Sequence, residues 1–89
     1  MSFHDTCKAL ADPTRREILS MLQKQSMAAG EISAAFPLTG ATVSHHLSIL
    51  KQAGLISEER KGKQIIYRLD ASVLDEMLRW VIHLKGSVK

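Results

Sequence analysis

Residues 39–56, with the sequence TGATVSHHLSILKQAGLI, are the most informative part of this 89-residue chain. One buried helix face is predicted by three apolar residues at helical spacing: Val43, Leu47 and Leu50. Thr39 is suited to start this helix, because its hydroxyl can accept from the free N–H groups of the first turn. Gly54 is suited to end it, because glycine readily adopts the left-handed conformation of a helix C-terminus.

The exposed side of the same helix is predicted to be small and polar near its N-terminal end. It carries two hydroxyls, an imidazole and no carboxylate, in the residues Ala41, Thr42, Ser44 and His45. Helices that enter the major groove of DNA contact bases with residues near their N-terminal ends. The pattern therefore favours a DNA-reading helix.

Three further helices are predicted before this segment. Residues 2–11 are weakly helical and place four side chains on one side: Phe3, Cys7, Leu10 and Ala11. Asp12 and Pro13 are typical of a helix start. The helix that they start has an apolar face formed by Ile18, Leu19 and Leu22. Residues 29–36 predict a third helix that buries Ile32, Ala35 and Phe36, and a turn at residues 37–38 completes a helix-turn-helix.

Beyond Gly54 the apolar period changes from that of a helix to that of a strand. Residues 56–60 and 64–69 are predicted to form two strands, joined by Lys61, Gly62 and Lys63. One face of the second strand carries Ile65, Tyr67 and Leu69. This hairpin with a basic tip has the shape of a wing. The predicted fold is therefore mainly α with a small β-hairpin, a winged helix-turn-helix of the order α-α-α-α-β-β-α.

The last predicted helix, over about residues 71–85, is apolar over a wide arc. Asp70 or Ser72 caps it, and Ser72 with Asp75 resembles a capping box. One stripe contains Leu74, Leu78, Val81 and Ile82, and another contains Val73, Met77, Trp80 and Leu84. So wide an arc favours a second partner beyond the chain's own core, so we expect a dimer formed by the first and last helices. The predicted interface residues are Phe3, Cys7, Val73, Met77, Trp80, Val81 and Leu84.

Length and composition exclude several classes of protein. Eighty-nine residues predict one domain, over residues 1–89. A formal charge of +3 permits nucleic-acid binding, and a single cysteine fits a reducing cytoplasm. No membrane span or signal peptide is recognisable. We expect neither an enzyme nor a small-molecule substrate, because paired carboxylates, a phosphate-binding glycine loop and an activated nucleophile are all missing from the sequence.

Residues 11–19 (ADPTRREIL), residues 42–47 (TVSHHL) and the Gly-Lys wing together resemble the ArsR family of bacterial winged-helix repressors. Within the family, residues 49–53 (ILKQA) and the helix around Trp80 are similar to the SdpR-type autorepressor subgroup. The resemblance implies a homodimer that binds a palindromic operator in double-stranded DNA and blocks transcription, often of its own operon. It also implies a membrane-bound partner protein that relieves repression.

The predicted DNA contacts fall into three groups. The reading helix supplies Thr39, Gly40, Thr42, Ser44, His45 and His46. A packed, structural role is an equal alternative for His46, and Gly40 stands where the family usually has a polar residue, so one contact is missing there. The wing supplies Arg60, Lys61 and Lys63, for phosphates or the minor groove. Arg15 and Arg16 contact phosphate or form structural ion pairs, and Lys51 is a phosphate contact or an ordinary exposed lysine.

Metal sensing is common among relatives of the family, and both familiar metal sites are missing from this sequence. Residues 28–30 (AAG) stand where thiolate-type sensors have Cys-x-Cys, and Ala28 also lacks the hydroxyl that would cap the third helix. Asp75 is followed by Met77 where zinc-type sensors have a histidine. We therefore expect no metal or other cofactor, and we interpret Cys7 as a small buried hydrophobe.

Two alternatives stay open. The first is a metal- or thiol-responsive repressor of the same family, which would use His4, Cys7 and His83 across the dimer. The second, more remote, is a winged helix that binds protein and has no DNA role, although this leaves the basic wing unexplained.

Overall fold

Five helices surround a small antiparallel sheet in residues 3–86, the part of the chain that the computed structural model describes. The elements in chain order are α1 (Phe3–Leu10), α2 (Pro13–Lys24), β1 (Met27–Ala28), α3 (Ala29–Ala34), α4 (Gly40–Gln52), β2 (Ile56–Lys61), β3 (Gln64–Leu69) and α5 (Ser72–Gly86). The predicted winged helix-turn-helix is confirmed, with one additional strand. No helix in this range has the length and apolar character needed to cross a membrane.

The additional strand makes the wing hairpin part of a three-stranded sheet with the order β1-β3-β2. The two residues of β1, Met27 and Ala28, pair with Tyr67 and Ile66 of β3. The sequence did not predict β1, because two residues are too few for an alternating pattern to show. β3 is therefore paired along both edges. Of the three residues on its predicted inward face, Tyr67 and Leu69 pack against the core, whereas Ile65, next to the tip of the wing, is half-buried and lies outside the core cluster.

Both ends of α4 are fixed as predicted. The Thr39 hydroxyl accepts from the N–H of Thr42 at 3.1 Å, which satisfies one of the free donors of the first turn. At the other end Gly54 has a φ of 77°. The N–H of Leu55 then donates to the carbonyl of Leu50 at 3.0 Å, and Leu55 is completely buried. α4 thus begins and ends at defined residues.

The core lies where the helices meet the base of the hairpin. The predicted apolar faces of α2 and α4 are confirmed by six buried residues: Ile18, Leu19, Leu22, Val43, Leu47 and Leu50. Burying a side chain of this size stabilises a fold by about 1.5–3 kcal/mol. Val73 of α5 also enters this core and is only 4% exposed, so its predicted place in a dimer interface is wrong.

The buried face of α1 differs from the prediction. Thr6 and Ala9 are buried, whereas Phe3, Cys7 and Ala11 are exposed. The interpretation of Cys7 as a buried hydrophobe is therefore wrong for the single chain. Of the four residues predicted on one side of α1, Leu10 packs against the core, whereas Phe3 lies against Trp80 of α5.

α3 is shorter than predicted and ends at Ala34, so that Ala35 is exposed while Ile32 is buried and Phe36 is half-buried. Its N-cap residue, Ala28, supplies no capping side chain, in agreement with the sequence. The Glu31 carboxylate accepts from the N–H of Ala28 at 2.8 Å, so one free donor of this start is satisfied from within the helix.

The start of α5 is held by Asp70. Its carboxylate accepts from the N–H of Ser72 at 3.0 Å and from the Ser72 hydroxyl at 2.7 Å. These hydrogen bonds hold the pKa of Asp70 below its usual range, the side-chain bond having the larger effect. Of the two predicted caps, Asp70 is the acceptor, and the Ser72 hydroxyl is turned toward it.

Candidate nucleic-acid interface

The N-terminal half of α4 presents polar groups to solvent. The Thr42 and Thr39 hydroxyls lie 2.9 Å apart and form a pair of oxygen atoms at the helix start. Free N–H groups and the positive end of the helix dipole favour an anion such as phosphate at this place. Five of the predicted contact residues on and beside α4 are exposed: Thr39, Gly40, Thr42, Ser44 and His45.

The tip of the wing is basic and accessible. Gly62 has a φ of 63° and begins the two-residue turn between β2 and β3, a place where glycine is favoured. The predicted contacts Arg60, Lys61 and Lys63 are exposed, and in residues 3–86 none of them forms an ion pair. Three cations are therefore free to neutralise phosphate.

Lys51 of α4 is placed differently, because its ammonium group donates to the Glu58 carboxylate of β2. The hydrogen bond raises the pKa of Lys51 and lowers the pKa of Glu58. Tyr67 pairs with Glu58 across the hairpin, and its pKa is raised first by burial and then by the Glu58 charge. The sequence did not single out Glu58 or Tyr67, although the hairpin register would place them opposite each other.

Arg15 and Arg16 are occupied by the C-terminal end of α1. Arg15 Nε donates to the carbonyl of Ala9 at 2.8 Å, and its Nη2 donates to that of Lys8 at 3.1 Å. Arg16 Nη1 donates to the carbonyl of Leu10 at 2.8 Å. The last carbonyls of a helix have no partner within it. The predicted structural ion pairs are absent from the described residues, and both arginines cap α1.

His46 is the contact residue of α4 that is turned inward, with a side chain 13% exposed. Its Nδ1 lies 3.2 Å from Arg15 Nη1 and 3.9 Å from Asp12 Oδ2. The same Asp12 oxygen accepts from the N–H of Arg15 at 3.0 Å, which lowers the pKa of Asp12. Of the two interpretations of His46, the packed one describes its surroundings.

The predicted dimer surface is largely uncovered in the single chain. Phe3 of α1 and Trp80 of α5 stack edge to face, with ring centroids 5.1 Å apart, and each is 49% exposed. Met77 is half-buried. We call the exposed apolar side chains along both helices the α1/α5 face: Phe3, Leu78, Trp80, Val81, Ile82 and Leu84.

His4 and Cys7 on α1 and His83 on α5 are all exposed. Within the single chain, residues 3–86 contain no group of three or more His, Cys, Asp or Glu side chains that could hold a metal ion. A site assembled from these three residues would therefore need groups from two chains.

Two helices joined by a short turn, the second with a polar exposed N-terminal end, precede a hairpin with a basic tip. This arrangement defines a winged helix-turn-helix DNA-binding protein. Residues 12–58 match the model of the family "Bacterial regulatory protein, arsR family". The chain belongs to this family and is a DNA-binding transcription regulator, not an enzyme.

Individual relatives agree with this assignment. The chain is 46% identical over 76 residues to the transcriptional repressor SdpR of Bacillus subtilis, a match that covers 85% of the chain and 84% of SdpR. A homodimeric winged helix-turn-helix DNA-binding domain from Mycobacterium bovis is 30% identical, with a TM-score of 0.73, over 97% of the chain and 84% of that domain. A crystal structure described as "Possible transcriptional regulator for arsenical resistance" is 28% identical, with a TM-score of 0.81, over 91% of the chain and 84% of that structure. The predicted resemblance to the ArsR family and to SdpR is confirmed.

Proposed function

We propose that this protein is a cytoplasmic repressor that binds a palindromic operator as a homodimer and acts on its own operon. The observations that carry the proposal are the exposed, acid-free N-terminal end of α4 and a wing tip whose three exposed cations form no ion pair within residues 3–86. Base edges would be read by Thr42, Ser44 and His45, while the wing neutralises phosphates. Repression is supported by the similarity to SdpR.

The α1/α5 face supports the homodimer. Six large apolar side chains remain 43–56% exposed along it, which is unusual for a small protein without a partner. The Mycobacterium bovis relative is homodimeric. In a twofold dimer, the two α4 helices would enter successive major grooves, about 34 Å apart on one side of the duplex.

Release from DNA is assigned to a partner protein, the membrane-bound protein that the SdpR resemblance implies, and not to a metal. The alternative, a metal- or thiol-responsive repressor, is favoured by the similarity to the arsenical-resistance regulator and by the exposure of Cys7. In that alternative, the three exposed residues His4, Cys7 and His83 would meet across the dimer.

A binding assay across a salt series tests the proposal. The protein is titrated onto the DNA upstream of its own gene and onto random duplex of the same length, with zinc, with a chelator and with an oxidant. We expect tighter binding to the upstream DNA that falls steeply with salt and does not respond to zinc or the oxidant. Equal binding to both duplexes would refute operator recognition, and release by zinc or the oxidant would favour the sensing alternative.

A further inference from the structure

Arg15 joins three helices at one point. Its guanidinium donates to carbonyls in the last turn of α1, at Lys8 and Ala9. Its backbone N–H, in the first turn of α2, donates to the Asp12 carboxylate. The remaining nitrogen, Nη1, reaches His46 in the middle of α4 at 3.2 Å. All three nitrogens of this side chain make hydrogen bonds within the protein, which use three of its five N–H groups and hold the guanidinium in place.

The contact defines the hydrogen-bonding state of His46. A guanidinium can only donate, so Nδ1 of the ring must accept, and a neutral ring then carries its proton on Nε2. The packed elements bring two charged groups to this ring, the Asp12 carboxylate and the Arg15 guanidinium, and the ring of His45 lies 6.4 Å away, measured between centroids. His46 therefore acts as an acceptor between α2 and α4.

A second contact ties α1 to the other end of α4. The buried Thr6 hydroxyl donates to the carbonyl of Ala53, the C-cap of α4, at 3.5 Å. Ala53 is seven residues beyond His46, or about 10 Å along a helix that rises 1.5 Å per residue. The buried face of α4 packs in the core along its length, which fixes its depth but leaves room for small changes of direction. The Thr6–Ala53 and Arg15–His46 contacts add polar attachments at two separate points along the helix, which oppose such changes.

The direction of α4 matters because α1 also carries part of the α1/α5 face, through Phe3. We infer that Arg15 and His46 are positioning residues that fix the direction of α4 relative to the dimer surface and so set the half-site spacing of the operator. This inference rests on the proposed function. Arg15 and His46, both predicted to contact DNA, would instead select the spacing of the operator half-sites.

The experiment uses a DNA duplex selected by the wild-type protein from a random library, and two derivatives with one base pair added or removed at its centre. Each derivative moves and rotates one half-site relative to the other. We expect the wild type to bind the derivatives at least about tenfold more weakly, and His46→Leu to reduce this penalty to threefold or less. His46→Leu leaves every Arg15 bond to α1 in place, so α1 remains capped.

Two further variants separate positioning from other roles. His46→Asn offers an acceptor near the position of Nδ1 and should retain the spacing penalty. Arg15→Lys keeps the charge but lacks the planar fork that reaches α1 and α4 together, so it should lose the penalty. Thermal melting of each variant checks that it is folded.

The salt dependence of binding gives the opposing test. A phosphate contact by the charged guanidinium would lower the slope of log affinity against log salt by about 0.9 in Arg15→Met. Such a decrease, with the spacing penalty intact, would overturn the inference while leaving the proposed function in place. If the wild type selects no sequence from the library, the proposed function itself fails.

Discussion

Lys51 and Glu58 form an ion pair that joins the last turns of α4 to β2, the first strand of the wing. The pair places an acidic side chain between two elements that both face DNA in the proposed complex. An unpaired Glu58 carboxylate would repel phosphate. The charge of Lys51 therefore neutralises Glu58 and is not available to neutralise a phosphate.

We therefore expect the double substitution Lys51→Met with Glu58→Gln, which removes both charges of the pair, to change binding to random duplex less than Lys61→Met does. Lys61 is exposed and, within the described residues, has no ion-pair partner. Its removal should lower the slope of log affinity against log salt by about 0.9, the contribution of one phosphate. Binding isotherms between low and physiological salt measure both slopes. Equal decreases in the two variants would show that Lys51 also contacts phosphate.

Trp80→Ala should weaken self-association. Tryptophan at the centre of an interface often contributes 2 kcal/mol or more, so we expect the dimer dissociation constant to rise by about thirtyfold. Sedimentation velocity over a concentration series measures the change. Arg79→Ala is the matched control, because Arg79 is the exposed polar neighbour on the same helix. A monomeric wild type, or an equal effect of both substitutions, would contradict an interface on the α1/α5 face.

Gly62→Ala should destabilise the wing. The backbone of Gly62 is left-handed, with a φ of 63°, and open space surrounds the position that a Cβ would take. The cost is therefore backbone strain alone, about 1–2 kcal/mol. Gly40→Ala is the control, because a Cβ there also meets open space, but φ is not positive at this first residue of α4. Alanine at such a position stabilises by about 0.4–1 kcal/mol, because it lowers the conformational entropy of the unfolded chain. Urea unfolding should show shifts of opposite sign, and shifts of the same sign would refute this account.

The cap of α5 predicts a pH dependence. Because the pKa of Asp70 is lowered in the fold, its carboxylate adds stability above its ordinary pKa, near 3.8, and loses this contribution as pH falls through the lower folded value. Asp70→Asn removes the charge and keeps an acceptor for Ser72. The melting temperature of the wild type should exceed that of Asp70→Asn at pH 7, and the difference should shrink as pH falls below 3.8. A difference that does not change with pH would exclude the charge as its cause.

The sequence predicted the parts of the fold that depend on local patterns. Helical spacing identified the buried face of α4, and the capping preferences of Thr39 and Gly54 located its ends correctly. Alternation in residues 64–69 identified the inward face of β3. Each of these features depends on neighbours within a few residues, which a single sequence contains.

What the sequence missed depends on residues far apart in the chain. Arg15 donates to carbonyls of the preceding helix and to the ring of His46, 31 positions further along the chain. The residue types around Arg15 do not indicate either of these acceptors. The partner of Lys51 lies beyond the turn at Gly54, on another element. The apolar side of α1 was misassigned because apolar spacing does not tell whether the cover comes from the same chain or from another.

The uncovered α1/α5 face also has a consequence for how operator occupancy depends on the concentration of the protein. If a second copy is its cover, only paired molecules occupy the operator, and the pairs follow mass action. Below the dissociation constant of the pair, occupancy rises with the square of the number of protein molecules in the cell. Transcription of a gene repressed by its own product would then fall steeply once the protein concentration passes a threshold. The exposed side chains of α5 set that threshold, because they determine the dissociation constant of the pair.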